Sequence, residues 1–166
     1  MRPLLIIVAL SALLGGAAAP WLPCLEVVNL DASTDWIVPL GLKGEFNITC
    51  EHSVYVSRVS ERFQVQQGKI VLEAVETSHQ GVAGYYGFEG DGPVYPLDRE
   101  FRQIVLRIRM GRGHQSIGVR GQLVELRELG APGDRLRIRP ARCSLLGPIL
   151  KRLDAETGWA REDSKN

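Results

Sequence analysis

Residues 44–52, GEFNITCEH, and residues 59–66, VSERFQVQ, decide how this chain folds. In the first stretch Phe46, Ile48, Cys50 and His52 share one parity, and Glu45, Asn47, Thr49 and Glu51 the other. In the second, Val59, Glu61, Phe63 and Val65 alternate with Ser60, Arg62, Gln64 and Gln66. Successive side chains of a strand point to opposite faces, so this period of two predicts a pair of strands, each burying one face. Directly opposed residues of an antiparallel pair share a face. Even-numbered residues of the first strand must therefore oppose odd-numbered residues of the second, and each pair of numbers sums to an odd value. A sum of 113 sets Ile48 against Val65, Cys50 against Phe63 and His52 against Glu61, at the mouth of the 53–60 connection. Sums of 111 and 115 keep the face and move the partner by two, within diagonal reach of long side chains.

The same period continues outward. Gln67-Gly68 predicts a tight turn into a strand over 70–76, with Val65 opposite Ile70 and Phe63 opposite Leu72, which completes a three-stranded meander. Earlier strands are expected over 25–30 and 36–40, and later ones over 102–110, 114–120, 123–129 and 135–139. Between 79 and 93 the alternation fails. Gly81, Gly84, Gly87, Gly90 and Gly92 rule out a regular strand, and a connection of that length in a compact domain is functional or mobile. Helical spacing is confined to Leu146, Ile149, Leu150, Leu153 and Trp159, a short amphipathic helix expected to cap the core. The fold class that follows is mainly β, a small antiparallel β-sandwich or open barrel with a short C-terminal helix and an N-terminal signal or anchor segment. Residues 1–22 form the signal peptide or membrane anchor, 23–142 the β domain, and 143–166 the C-terminal helix and polar tail.

Arg2 followed by the uncharged run 4–14 and by Gly15, Gly16, Ala17, Ala18 and Ala19 has the layout of a signal peptide. Cleavage is expected after Ala18, since Pro20 makes the next bond a poor substrate. Left uncleaved, the apolar stretch 4–25 reaches the ~20 residues that span a bilayer, with Trp21 at interfacial height. Either way the chain is expected to be exported, to the periplasm or the outer face of the cytoplasmic membrane. In an oxidising compartment one disulfide can form among Cys24, Cys50 and Cys143. Cys50–Cys143 is slightly preferred to Cys24–Cys143, and connectivity stays open. A net charge of +1 with 45% hydrophobic residues is not the electrostatic profile of a nucleic-acid binder. Arg107, Arg109, Arg112, Arg120, Arg135, Arg137 and Arg139 read as a solvated sheet face rather than an anion-docking one.

The least ordinary feature is a carboxylate among apolar neighbours. His52, Ser53 and Glu61 form the candidate polar cluster, to which His79, Gly81 and Gly84 of the glycine-rich segment are possible contributors. His52 facing Glu61 is expected to lock the strand register, with Ser53 closing the loop onto backbone. The alternative is a small-ligand or metal site using His52 and Glu61, joined by His79 and His114. No His-x-His or Cys-x-x-Cys pair backs a metal, no cofactor motif is present, and no Gly-x-Ser-x-Gly elbow marks a nucleophile. Ser53 beside His52 is not a catalytic pair, because neighbours on a strand point to opposite faces.

The run Cys50-Glu51-His52-Ser53-Val54, then Val59, Glu61 and Phe63, then the Leu72 strand and the glycines Gly81 to Gly84, resembles the exported proteins of the family called DUF eighteen-fifty. Such proteins carry a hydrophobic leader, a His-Ser-Val signature, a Glu-x-Phe a few residues on, and a Phe-Gly-Ala-Gly-like segment. The resemblance spans residues 23–138. Here Gly81-Val82-Ala83-Gly84-Tyr85 replaces the tighter glycine form. The genes of such proteins lie beside, or are fused to, membrane subunits of TRAP-type solute transporters with TAXI-type substrate-binding proteins. The resemblance thus implies a non-enzymatic accessory domain whose partner is a TRAP transporter membrane or substrate-binding subunit.

Overall fold

A computed structural model describes residues 21–144 except 91 and 112, so the expected leader and the helix over 146–159 lie outside the described residues. Residues 23–141 form one compact unit. The unit is built from antiparallel strands in two sheets. One sheet has four strands in the order β2 (Thr34–Pro39), β1 (Leu22–Asn29), β10 (Arg135–Cys143), β7 (Ile104–Arg107). The other has six, in the order β6 (Val94–Phe101), β5 (Lys69–Thr77), β4 (Arg58–Gln66), β3 (Glu45–Glu51), β8 (Gln115–Val119), β9 (Gln122–Glu125). Leu25, Val27, Leu136 and Ile138 of the smaller sheet and Phe46, Ile48, Val59, Phe63, Ile70 and Val75 of the larger share one hydrophobic core. The mainly β expectation holds, with two antiparallel sheets, neither of which closes into a barrel. Among the described residues no helix is long and apolar enough to cross a membrane.

The β3–β4 hairpin keeps the expected faces but not the expected register. Phe46 opposes Phe63, Ile48 opposes Glu61, Cys50 opposes Val59 and Glu51 opposes Arg58, a sum of 109 rather than 113. His52 and Glu61 are therefore not partners. Two local causes set the shift. The His52 N–H donates to the Ser57 carbonyl at 2.7 Å and the Val56 N–H to the His52 carbonyl at 2.9 Å, which closes the loop on four residues instead of eight. That closure needs Val56 at φ 47°, a left-handed conformation that β-branched residues rarely adopt. Across the hairpin, the Phe46 and Phe63 rings stack with centroids 5.0 Å apart, a contact the other register would break.

The β4–β5 turn matches expectation at first, with Val65 opposite Ile70 and Phe63 opposite Leu72. A bulge then intervenes at Glu73, and Glu61 meets Val75. One extra residue reverses the parity, so Ile70, Leu72 and Val75 all face inward although their numbers do not alternate. Four elements depart from the sequence reading. Strand β6, with Pro96 in its middle, occupies a stretch with no expected strand and lies at a sheet edge, where a missing backbone donor costs no ladder bond. The expected strand over 102–110 is the four-residue β7, and that over 123–129 ends at Glu125 and gives way to a 3-10 turn, Leu126–Glu128. The glycine-rich segment contains a short helix, α1 (Gln80–Tyr85). Cys24 and Cys143 are disulfide-bonded and Cys50 is free, which removes the Cys50–Cys143 pairing. Of the basic stripe, Arg135 holds Asp31 through Nη2 at 2.8 Å and its backbone N–H at 2.7 Å, and Arg139 pairs with Glu26.

Candidate functional site: a carboxyl in an apolar pocket

The corrected register carries Glu61 from the mouth of the hairpin into the middle of the inner sheet face, between Ile48 on β3 and Val75 on β5. There it lines a pocket of about 400 Å³, within the 300–1,000 Å³ range of small-molecule sites. Strand β4 also contributes Phe63, β5 contributes Leu72 and Val75, and β6 contributes Leu97, Arg99 and Phe101. Gln103, Ile104 and Val105, from the start of β7, line the side of the smaller sheet, and Tyr86 and Phe88, just after α1, complete the wall. The bulge at Glu73 is what lets Leu72 and Val75 line the same surface.

Glu61 has no hydrogen-bond or ion-pair partner among the described residues. Burial pushes its carboxyl above the ordinary value of 4.5, and no cation offsets the shift. Two neighbours register its charge. The Tyr86 phenol is raised by burial first and then by Glu61, Cys50 and Tyr85. The Cys50 thiol is raised by burial and then by Glu61, against a smaller opposing pull from Arg109. A raised thiol is the reverse of an activated cysteine, so the group beside Glu61 is not poised as a nucleophile.

The remaining candidates gather next to this pocket. His52 and His79 both pack against Tyr55, with ring centroids 5.3 and 4.7 Å away. His52 then touches Tyr85 and Tyr86 at 5.1 and 6.4 Å, Tyr86 stacks on Phe88 at 5.8 Å, and Phe88 on Tyr95 at 4.8 Å. This aromatic run joins the hairpin loop to the pocket wall. Each histidine spends Nδ1 on its own loop: His52 accepts from the Val54 N–H at 3.3 Å, and His79, the N-cap of α1, accepts from the Gly81 N–H at 3.1 Å. With Nδ1 an acceptor, the neutral ring carries its proton on Nε2. The bond expected of Ser53 is thus supplied by His52, and Ser53 itself is exposed. Gly81 has a steric role, since a Cβ there would sit 2.7 Å from the Tyr55 ring. Gly84 meets nothing within 4 Å.

His114 does not join them. Its exposed ring lies 3.5 Å from Glu125, at the other edge of the six-stranded sheet. Among the described residues no group of three or more His, Cys, Asp or Glu side chains could hold a metal ion. Sequence reasoning missed Tyr86, Phe88, Leu97, Arg99 and Phe101. The usable signals were the aromatic run Tyr85-Tyr86-Gly87-Phe88 and the odd-numbered Tyr95, Leu97, Arg99 and Phe101, all on one face of β6. No family model, curated protein or solved structure matches the chain.

Proposed function

We propose that this chain is an exported accessory domain that binds a small, largely apolar molecule carrying a polar group for Glu61. The observation that carries this reading is the Glu61 carboxyl, half-buried and without a partner among the described residues, in the wall of a pocket lined by Phe63, Leu72, Val75, Leu97 and Phe101. A half-buried carboxyl that no described residue pairs costs stability, and a ligand that completes its bonding would offset that cost. The signal-like residues 1–19 support export, and the resemblance at His52, Ser53, Val54, Glu61 and Phe63 supports work beside a TRAP-type transporter. Binding rather than turnover is favoured because the adjacent thiol of Cys50 is suppressed.

Two experiments test this. A thermal-shift and calorimetric screen of small organic ions should yield compounds that bind the wild-type chain saturably and fail to bind Leu97→Trp, in which an indole occupies the pocket. If no compound binds, or hits bind both proteins equally, the pocket is not a ligand site. Affinity purification from membranes in mild detergent should retain a transporter subunit, and recovery of the chain alone would remove the transporter association.

A further inference from the structure

The pocket holds two opposite charges that do not meet. On the inner face of the six-stranded sheet, Glu61, Val75 and Tyr95 form one cross-strand row, and Phe63, Leu72 and Arg99 the next. Glu61 and Arg99 are thus two strands and one row apart, roughly 12 Å between Cα atoms at standard strand spacing and rise. Both side chains line the same pocket, and neither has a hydrogen-bond or ion-pair partner among the described residues. No ion pair joins the two side chains, and the pocket they line has a volume of about 400 Å³. Leu72 and Val75 line the floor between them, and the rings of Phe63, Tyr86, Phe88 and Phe101 stand around it.

We propose that the ligand is a small zwitterion with an apolar body, its ammonium group held by Glu61 and the surrounding rings and its acid group held by Arg99. This rests on the small-molecule reading above and names its ligand class. A carboxylate walled by aromatic faces suits an ammonium, which gains both the ion pair and the ring quadrupoles. A ligand bearing a cation alone would meet the uncompensated guanidinium of Arg99. One bearing an anion alone would meet Glu61, already hard to ionise where it stands. Only a molecule with both charges in the matching order satisfies both groups, and the mismatched charges act against the other two classes.

Phenylalanine, phenethylamine and 3-phenylpropionate share one skeleton and present both charges, the cation alone and the anion alone. Calorimetry with the full chain at neutral pH should find phenylalanine binding about tenfold or more tightly than either analogue, the scale of one charge-assisted hydrogen bond. Glu61→Gln should weaken phenylalanine and phenethylamine by a similar factor and spare 3-phenylpropionate. Arg99→Met, at an exposed position on the edge strand, should weaken phenylalanine and 3-phenylpropionate and spare phenethylamine. A singly charged analogue that binds as well as phenylalanine overturns the inference, as does a preference that survives both substitutions. If the wider screen yields Leu97→Trp-sensitive ligands while this series shows no preference, the zwitterion is wrong and the pocket stands. If nothing binds, both fall.

Discussion

Replacing Glu61 by Gln should make the unliganded protein more stable at neutral pH and leave it unchanged in acid. The native state holds the Glu61 proton more tightly than the unfolded chain, because burial raises the carboxyl above 4.5. Stability linked to this group is therefore fully present below the unfolded value and lost as pH rises through the folded one. Gln keeps the size and removes the charge. An unsatisfied polar group costs about 1–3 kcal/mol in protein interiors, and the solvent access of an open pocket places the gain near the lower end, on the order of 1 kcal/mol. For a domain of this size that is roughly 3–6 °C in Tm. Calorimetric scans of both proteins at about pH 4, 5.5 and 7.5, at one ionic strength and without ligand, read it directly. The gap should open as pH rises. A constant gap, or a variant less stable at neutral pH, would refute the account, since either means Glu61 has a native partner. Cys50 supplies an independent readout: Glu61 helps hold its thiol up, so the variant should alkylate faster at mildly alkaline pH, with Cys24 and Cys143 protected as a disulfide.

Gly84→Ala should stabilise by up to about 1 kcal/mol, the helix-propensity gain at a position with open space, as measured by urea unfolding. Gly81→Ala should lose that gain, because its Cβ displaces the Tyr55 ring, and the His52 and His79 imidazole NMR signals should both shift. Gly118→Ala drives a Cβ to 2.1 Å from Asn47 Oδ1 and breaks the Asn47 bonds to Thr49 and Ser60 on the outer face; about 1–3 kcal/mol should be lost and largely recovered in the Gly118→Ala, Asn47→Ala double variant. Asp31 is lowered to about 2, chiefly by the Arg135 side-chain bond and then by the Arg135 backbone N–H. A lowered carboxyl stabilises above its unfolded value of 3.8 and ceases to as pH falls through about 2, so Asp31→Asn should be less stable than wild type near neutrality and equal to it in strong acid.

How much of this was legible follows from which physical signal each feature carries. The inner and outer faces of β3 and β4 were readable because apolar alternation directly reports burial. Their register was not, since it hangs on how Ser53, Val54, Tyr55 and Val56 turn, and a valine at positive φ has no sequence signature. The partial exception is Phe46 with Phe63, two large apolar rings that only one register of that hairpin places face to face. The bulge was visible in principle, because Ile70 and Leu72 are followed by Val75 and Thr77, a parity change that a straight strand does not allow. Strand β6 was hidden by Pro96, which marks an edge rather than the absence of a strand. Helix α1, six residues with two glycines, is too short to show a period, and its cap is a histidine rather than a usual capping residue.

The register error and the site are one matter. At a sum of 113, Glu61 faces His52 at a wet loop mouth, has a partner, and needs no function to explain it. At 109 the same glutamate stands between Ile48 and Val75 with no partner among the described residues, and the histidine that was to satisfy it joins an aromatic run through Tyr55, Tyr85 and Tyr86 instead. Leucine at position 61 would continue the Val59–Phe63–Val65 pattern and fill the pocket wall. A chain that places a carboxyl there gives up stability at neutral pH, and among the described residues neither the exposed Arg99 nor any other cation pairs with it. The charge Glu61 lacks is therefore best sought in a molecule that enters from outside, and the opposite charge on that molecule is what Arg99 lacks.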